Sequence, residues 1–209
     1  MRYAQLSPTI HQIAWTGVVL RFEYRFDRWA HVISQSSAGE EPGGAEVVWL
    51  SSGEGAAENA TPPSPAFQDL RWEPLEVATA ESSPDSTASA DEISVGEFQL
   101  FGQCGRQVYS AAIRCTAGRI DFDLCVRVRG GEPFQLLSSY DCPVLAINEN
   151  GVTLIGGRLQ VETISLPNEP VLTCQCPSPD RIVLAAEPVV LPVKKSQTLR
   201  WAYRLSWDV

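Results

Sequence analysis

Apolar and polar residues alternate with a period of two along most of this chain, and windows with apolar residues at helical spacing are nearly absent. Near the start, Val18, Leu20, Phe22, Tyr24 and Phe26 fall on one side of an extended segment, with Val19, Arg21, Glu23 and Arg25 on the other. Near the end, Leu199, Trp201, Tyr203, Leu205, Trp207 and Val209 alternate with Arg200, Ala202, Arg204, Ser206 and Asp208. The two stretches, LRFEYRFD and LRWAYRLS, resemble each other, but their flanks do not recur. What they share is the requirement of a half-buried antiparallel strand: rings inward, arginines outward. Both ring sets are expected in the core, with the two strands lying side by side.

Further alternating or apolar segments occur at 29–34, 93–102, 134–139, 143–148, 152–156, 158–165, 170–175, 181–186 and 188–193. Asn150-Gly151 is the strongest two-residue hairpin signal, joining VLAINE to VTLIGG. The stretch 107–128 predicts a hairpin turning at Ala117-Gly118, which sets Cys115 opposite Ile120 and Arg114 opposite Asp121. Tyr109, Ala111, Ile113, Cys115, Ile120, Phe122, Leu124, Val126 and Val128 then share the core face. About a dozen short strands at this spacing predict one all-β domain over 1–209, an antiparallel β-sandwich. A closed β-barrel sealed by the first and last strands is the second choice. The apolar runs PVLAI, RIVLAA and PVVLPV read as the central strands.

Charge changes the picture only locally. The net charge is −9, yet Glu40, Glu41, Glu46, Glu54, Glu58, Glu76, Glu81, Asp85, Asp91 and Glu92 lie in two segments without Lys or Arg. Taking those ten from the 25 acids leaves 15 acids against 16 bases elsewhere. Both segments are rich in Ser, Ala, Gly and Pro, so 34–45, 51–66 and 78–92 are expected to be mobile acidic loops in the N-terminal half. EVVWL and FQDLRWEPLEV have enough apolar weight to dock between them.

The N-terminus has no charged start followed by a clean apolar run, and no stretch nears the ~18 apolar residues of a membrane span. A cytoplasmic chain is therefore expected, with no membrane partner. In that compartment the six cysteines read as free, mostly buried thiols. Cys174 and Cys176, on one face of an extended segment, are weak candidates for a metal, with Cys142 and Cys104 as distant helpers. The tighter pairs usual for zinc are missing, so unpaired thiols and no cofactor are the stronger reading.

Glycine-rich phosphate loops, the zinc-protease helix signature and the serine-nucleophile elbow are all absent from the sequence. Asp121 and Asp123 are the best catalytic candidates, two carboxylates on one strand face. Interleaved with Arg119, Arg127 and Arg129, they fit a ladder of cross-strand ion pairs better. Arg21, Arg25, Arg200 and Arg204 could form an interaction face, but the aromatic rings point the other way, which argues against nucleic acid. His31 reads as a half-exposed strand residue, and His11 as part of an unanchored N-terminus.

The expected function is therefore a non-enzymatic binding module for a protein partner or its own copy. The alternative is a barrel holding a small apolar ligand behind Phe22, Tyr24, Phe26, Trp201, Tyr203 and Trp207.

Overall fold

The computed structural model describes residues 2–15, 17–35, 47–52, 65–74, 96–129, 133–142, 144–148, 151–154, 159–190, 192 and 195–207. Most of the three predicted loops, at 36–45, 53–64 and 78–92, lie outside the described residues. Among the described residues there are strands and turns but no helix, and none is long and apolar enough to cross a membrane.

The chain begins with β1 (Arg2–Ser7), β2 (Ile10–Ala14), β3 (Val18–Arg25), β4 (Arg28–Gln35) and β5 (Val47–Ser52). Then come β6 (Asp69–Glu73), β7 (Gly96–Cys104), β8 (Gln107–Thr116) and β9 (Arg119–Arg129). After these come β10 (Pro133–Phe134), β11 (Leu137–Asp141), β12 (Val144–Asn148), β13 (Gly151–Leu154) and β14 (Leu159–Ile164). Last are β15 (Thr173–Ser178), β16 (Arg181–Ala185), β17 (Val189–Val190) and β18 (Ser196–Trp207).

Two eight-stranded antiparallel sheets hold most of these strands, in the orders β1-β2-β3-β4-β5-β11-β16-β15 and β12-β13-β14-β18-β9-β8-β7-β6. Ring contacts show how they face each other. Tyr3 of β1 stacks on Trp72 of β6 at 4.6 Å, and Phe22 of β3 meets Phe98 of β7 at 4.5 Å. His31 of β4 meets Phe122 of β9 at 5.3 Å, and Tyr140 of β11 meets Tyr203 of β18 at 6.2 Å. The sheets thus run in step, and one apolar cluster fills the space between them.

The hairpin of β8 and β9 follows the predicted register: Cys115 pairs with Ile120, Arg114 with Asp121, and every predicted core-face residue is buried. Gly118, at φ +69°, takes the left-handed turn conformation that a side chain would resist. Four other expectations are corrected. The sheets do not close into a barrel, because β1 lies at an edge of one sheet and β18 inside the other. For the same reason β3 and β18 are not neighbours but belong to opposing sheets. The strands of PVLAI, RIVLAA and PVVLPV are not central: β12 is an edge, β16 lies next to one, and β17 pairs only with β10. The N-terminus is anchored, since β1 and β2 form a hairpin and His11 is buried. A fifth concerns the Asn150-Gly151 hairpin signal: Asn148 pairs with Gly151, so Gly151 belongs to β13 and not to the turn.

Candidate functional site

Alternation along β4 puts Trp29, His31 and Ile33 on one face, and pairing sets His31 opposite Phe22. That face looks into the sandwich. Phe22 and Ile33 are fully buried, whereas His31 keeps some accessible surface. That surface faces a cleft between the sheets. Phe67, Leu100, Ile113, Phe122 and Leu124 form its apolar wall, and Arg28, His31, Ser52, Ser138, Tyr140 and Tyr203 supply its polar groups.

The cleft opens to solvent at its mouth and encloses a cavity of about 30 Å³. That volume sets the size of an enclosed occupant. It suffices for roughly two water molecules or one small apolar group, each needing ~10–15 Å³ of such room. It is far below the ~300 Å³ and more of a drug-sized pocket.

One wall is closed by a strap, residues 65–68, that crosses between the sheets. Trp29 N donates to Phe67 O at 2.7 Å on one side, and Gln68 N donates to Phe101 O at 2.8 Å on the other. The Gln68 side chain clamps Gln103 through both its amide atoms, at 2.7 and 3.1 Å. The strap passes so close to β7 that a Cβ on Gly102 would lie 2.0 Å from the Ala66 carbonyl oxygen. Glycine is required there by the approach of another backbone.

At the inner end of the cleft, buried polar groups form a chain. Trp201 Nε1 donates to Ser138 Oγ at 3.1 Å, Ser138 bonds the Tyr203 hydroxyl, and the Tyr203 and Tyr140 hydroxyls are in close contact. Tyr140 in turn lies 3.0 Å from His31 Nε2. An indole N–H can only donate, so Ser138 Oγ accepts from Trp201. Between the two phenol hydroxyls, and between Tyr140 and His31, either partner can be the donor. The chain ends on the His31 imidazole.

Burial pushes His31 down to about 4, so the ring is neutral near pH 7. Burial likewise pushes both tyrosines up, and they keep their protons. Phe122 stacks on the Tyr203 ring at 4.7 Å, and Ser52 Oγ accepts from the His31 backbone N at 2.9 Å. The result is a rigid, uncharged polar floor beneath an apolar wall.

Of the six rings assigned to a ligand site, only Tyr203 lines the cleft. Trp201, Trp207 and Phe22 are packed in the core. Tyr24 and Phe26 are 39% and 73% exposed, against the expectation that they point inward. The reason lies in the turn. Arg25 pairs with Arg28, so Phe26 and Asp27 form the hairpin tip, with φ of 48° and 68°, and alternation ends before Phe26.

The four arginines do not share a face, because β3 and β18 present their outer sides in opposite directions. Each is held by carboxylates. Arg21 Nε lies 2.6 Å from Glu23, which Arg25 also contacts, while Arg200 and Arg204 donate to Asp123 and Asp121, both at 2.6 Å. Arg119 adds a contact to Asp121 at 3.1 Å. Asp121 and Asp123 thus sit in an ion-pair ladder on the outer face, away from the cleft.

The cysteines are free thiols. Cys174 and Cys176 pack against the core near Cys142, and burial pushes Cys142 and Cys174 each up to about 12. Among the described residues no group of three or more His, Cys, Asp and Glu is placed to hold a metal ion.

Tyr203 and Trp201 are among the ring residues assigned from the sequence, whereas Ser52, Ser138 and Tyr140 are not, because the floor is assembled from strands β4, β5, β11 and β18, separated along the chain. The one local signal was the shared face of Trp29, His31 and Ile33. Comparison with protein families, characterised proteins and solved structures finds no match for this chain.

Proposed function

We propose that the protein is a non-enzymatic binding module whose site is the cleft between the sheets, and that its ligand is small and largely apolar. The observation that carries this reading is a gap between the two sheets, apolar on its wall and hydrogen-bonded on its floor. Packed interiors leave few voids larger than a water, and well-formed apolar pockets with a few converging polar groups are the usual form of a ligand site. A catalytic reading gains little from the same groups, because the imidazole is already hydrogen-bonded to Tyr140 and burial holds the phenols protonated. The free thiols favour a reducing compartment such as the cytoplasm.

The test is titration of the protein with benzyl alcohol, followed by backbone amide shifts, for the wild type and for Ala111→Val, which narrows the cleft. Saturable shifts around His31 and Ile113, weakened about tenfold or more in the variant, support the reading. Saturation unaffected by the substitution argues for a different site, and no binding argues against any.

A second reading is association with a protein partner or a second copy through the β3–β4 tip. Phe26 carries it, as an exposed aromatic ring in a left-handed turn position that is costly for a bulky residue. Light scattering on the wild type and on Phe26→Asn decides it. A concentration-dependent dimer that the substitution dissolves supports this reading, and a monomer in both sets self-association aside.

A further inference from the structure

Among the described residues the cleft is lined by one arginine and by no carboxylate. Arg28 stands at the start of β4, on the rim where the hairpin closes. Its side chain is only 16% exposed, and among the described residues its one ionic contact is at 3.4 Å to Asp27, which is itself 74% exposed. Other arginines are held more closely, at 2.6 Å for Arg200, Arg204 and Arg21. A guanidinium has five N–H donors in a planar fork, and most of those on Arg28 are uncommitted while its stem is buried. His31 is neutral and adds no second cation.

We propose that Arg28 anchors the carboxylate of a small monocarboxylic acid whose short apolar end enters the cleft. The inference rests on the cleft being a ligand site and adds the class of ligand. A carboxylate matches the fork in two parallel bonds, and one charge balances one charge. A doubly charged phosphate would leave one charge without a partner in an otherwise apolar setting. The enclosed space takes an end no larger than a branched three-carbon group or the edge of a phenyl ring. The rest of the molecule lies at the rim beside Arg28.

Two matched pairs test this on the full chain: isovalerate against isovaleramide, and benzoate against benzamide, titrated by amide shifts at constant ionic strength. Each acid is expected to bind about tenfold or more tightly than its neutral partner. Arg28→Gln should abolish that preference while leaving the amides unchanged, and Arg28→Lys should keep part of it. Near-UV circular dichroism confirms that the variants are folded. If amides and acids bind wild type equally, the carboxylate assignment falls and the apolar cleft stands. An acid preference that survives in Arg28→Gln also overturns the assignment. If none of the four binds, both this inference and the reading beneath it fail.

Discussion

Replacing His31 by glutamine removes the imidazole of the buried chain while keeping a side chain that can hydrogen-bond Tyr140. The imidazole is pushed down from 6.5 to about 4 by burial. Between those values the unfolded chain binds a proton that the fold refuses, so stability is full above pH 6.5 and is lost as pH falls towards 4. Each pH unit in that window costs about 1.4 kcal/mol, and the whole window roughly 3 kcal/mol. Between pH 7.5 and pH 5 the loss from this group alone is about 2 kcal/mol. Protonated Nε2 can only donate, so Tyr140 would then have to accept from it. One other group fades over the same range and one only below it. Burial lowers His11 too; burial alone would raise Glu23, but its bonds to Arg25 and Arg21 outweigh that and hold it low. They cancel when wild type and variant are compared. Urea unfolding at pH 7.5, 6 and 5 should therefore show wild type losing about 2 kcal/mol more than His31→Gln. Parallel pH profiles would refute the neutral, buried imidazole.

Gly102→Ala drives a methyl group into the strap carbonyl, and urea unfolding should register a loss of about 1–3 kcal/mol. Asp121→Asn and Asp123→Asn break ion pairs on an outer face, so each should cost less than about 1 kcal/mol by the same assay and leave ligand titrations unchanged. Thiol titration of the native protein should find Cys115, Cys142 and Cys174 slow to react, with all six cysteines reacting only after denaturation. Replacing Phe26-Asp27 by Asn-Gly suits the two left-handed turn positions and should raise stability by about 1 kcal/mol in thermal unfolding.

Local pairing was legible in the sequence where alternation and a turn signal agreed over long strands, but not at Asn150-Gly151, where Gly151 joins β13. Tyr109 to Val128 is the clear case: period two assigned the faces, and Ala117-Gly118 fixed the register. What alternation cannot convey is which sheet a strand joins. The strands holding Arg21 and Arg200 carry the same pattern because both are half-buried, and that pattern is the same whether they are neighbours or face each other across a core. Apolar runs misled for a related reason: β12 and β16 were placed at the centre on composition, but sheet order follows connections between distant strands. Phe26 shows the limit of period two at its end, where a turn took a residue that alternation assigned to the core. The candidate site was hidden most of all. His31, Tyr140, Ser138 and Tyr203 meet only once β4, β11 and β18 are stacked, and no spacing in the chain announces that meeting.

The central proposal is that a ligand sits in the cleft between the sheets. Contacts between bound benzyl alcohol and the protein, measured as intermolecular nuclear Overhauser effects, test it most directly. The account predicts contacts to the methyl groups of Leu100, Ile113 and Leu124 and to the rings of Phe122 and Tyr140. Contacts confined to Tyr24 and Phe26 at the hairpin tip, or none at all, would contradict it.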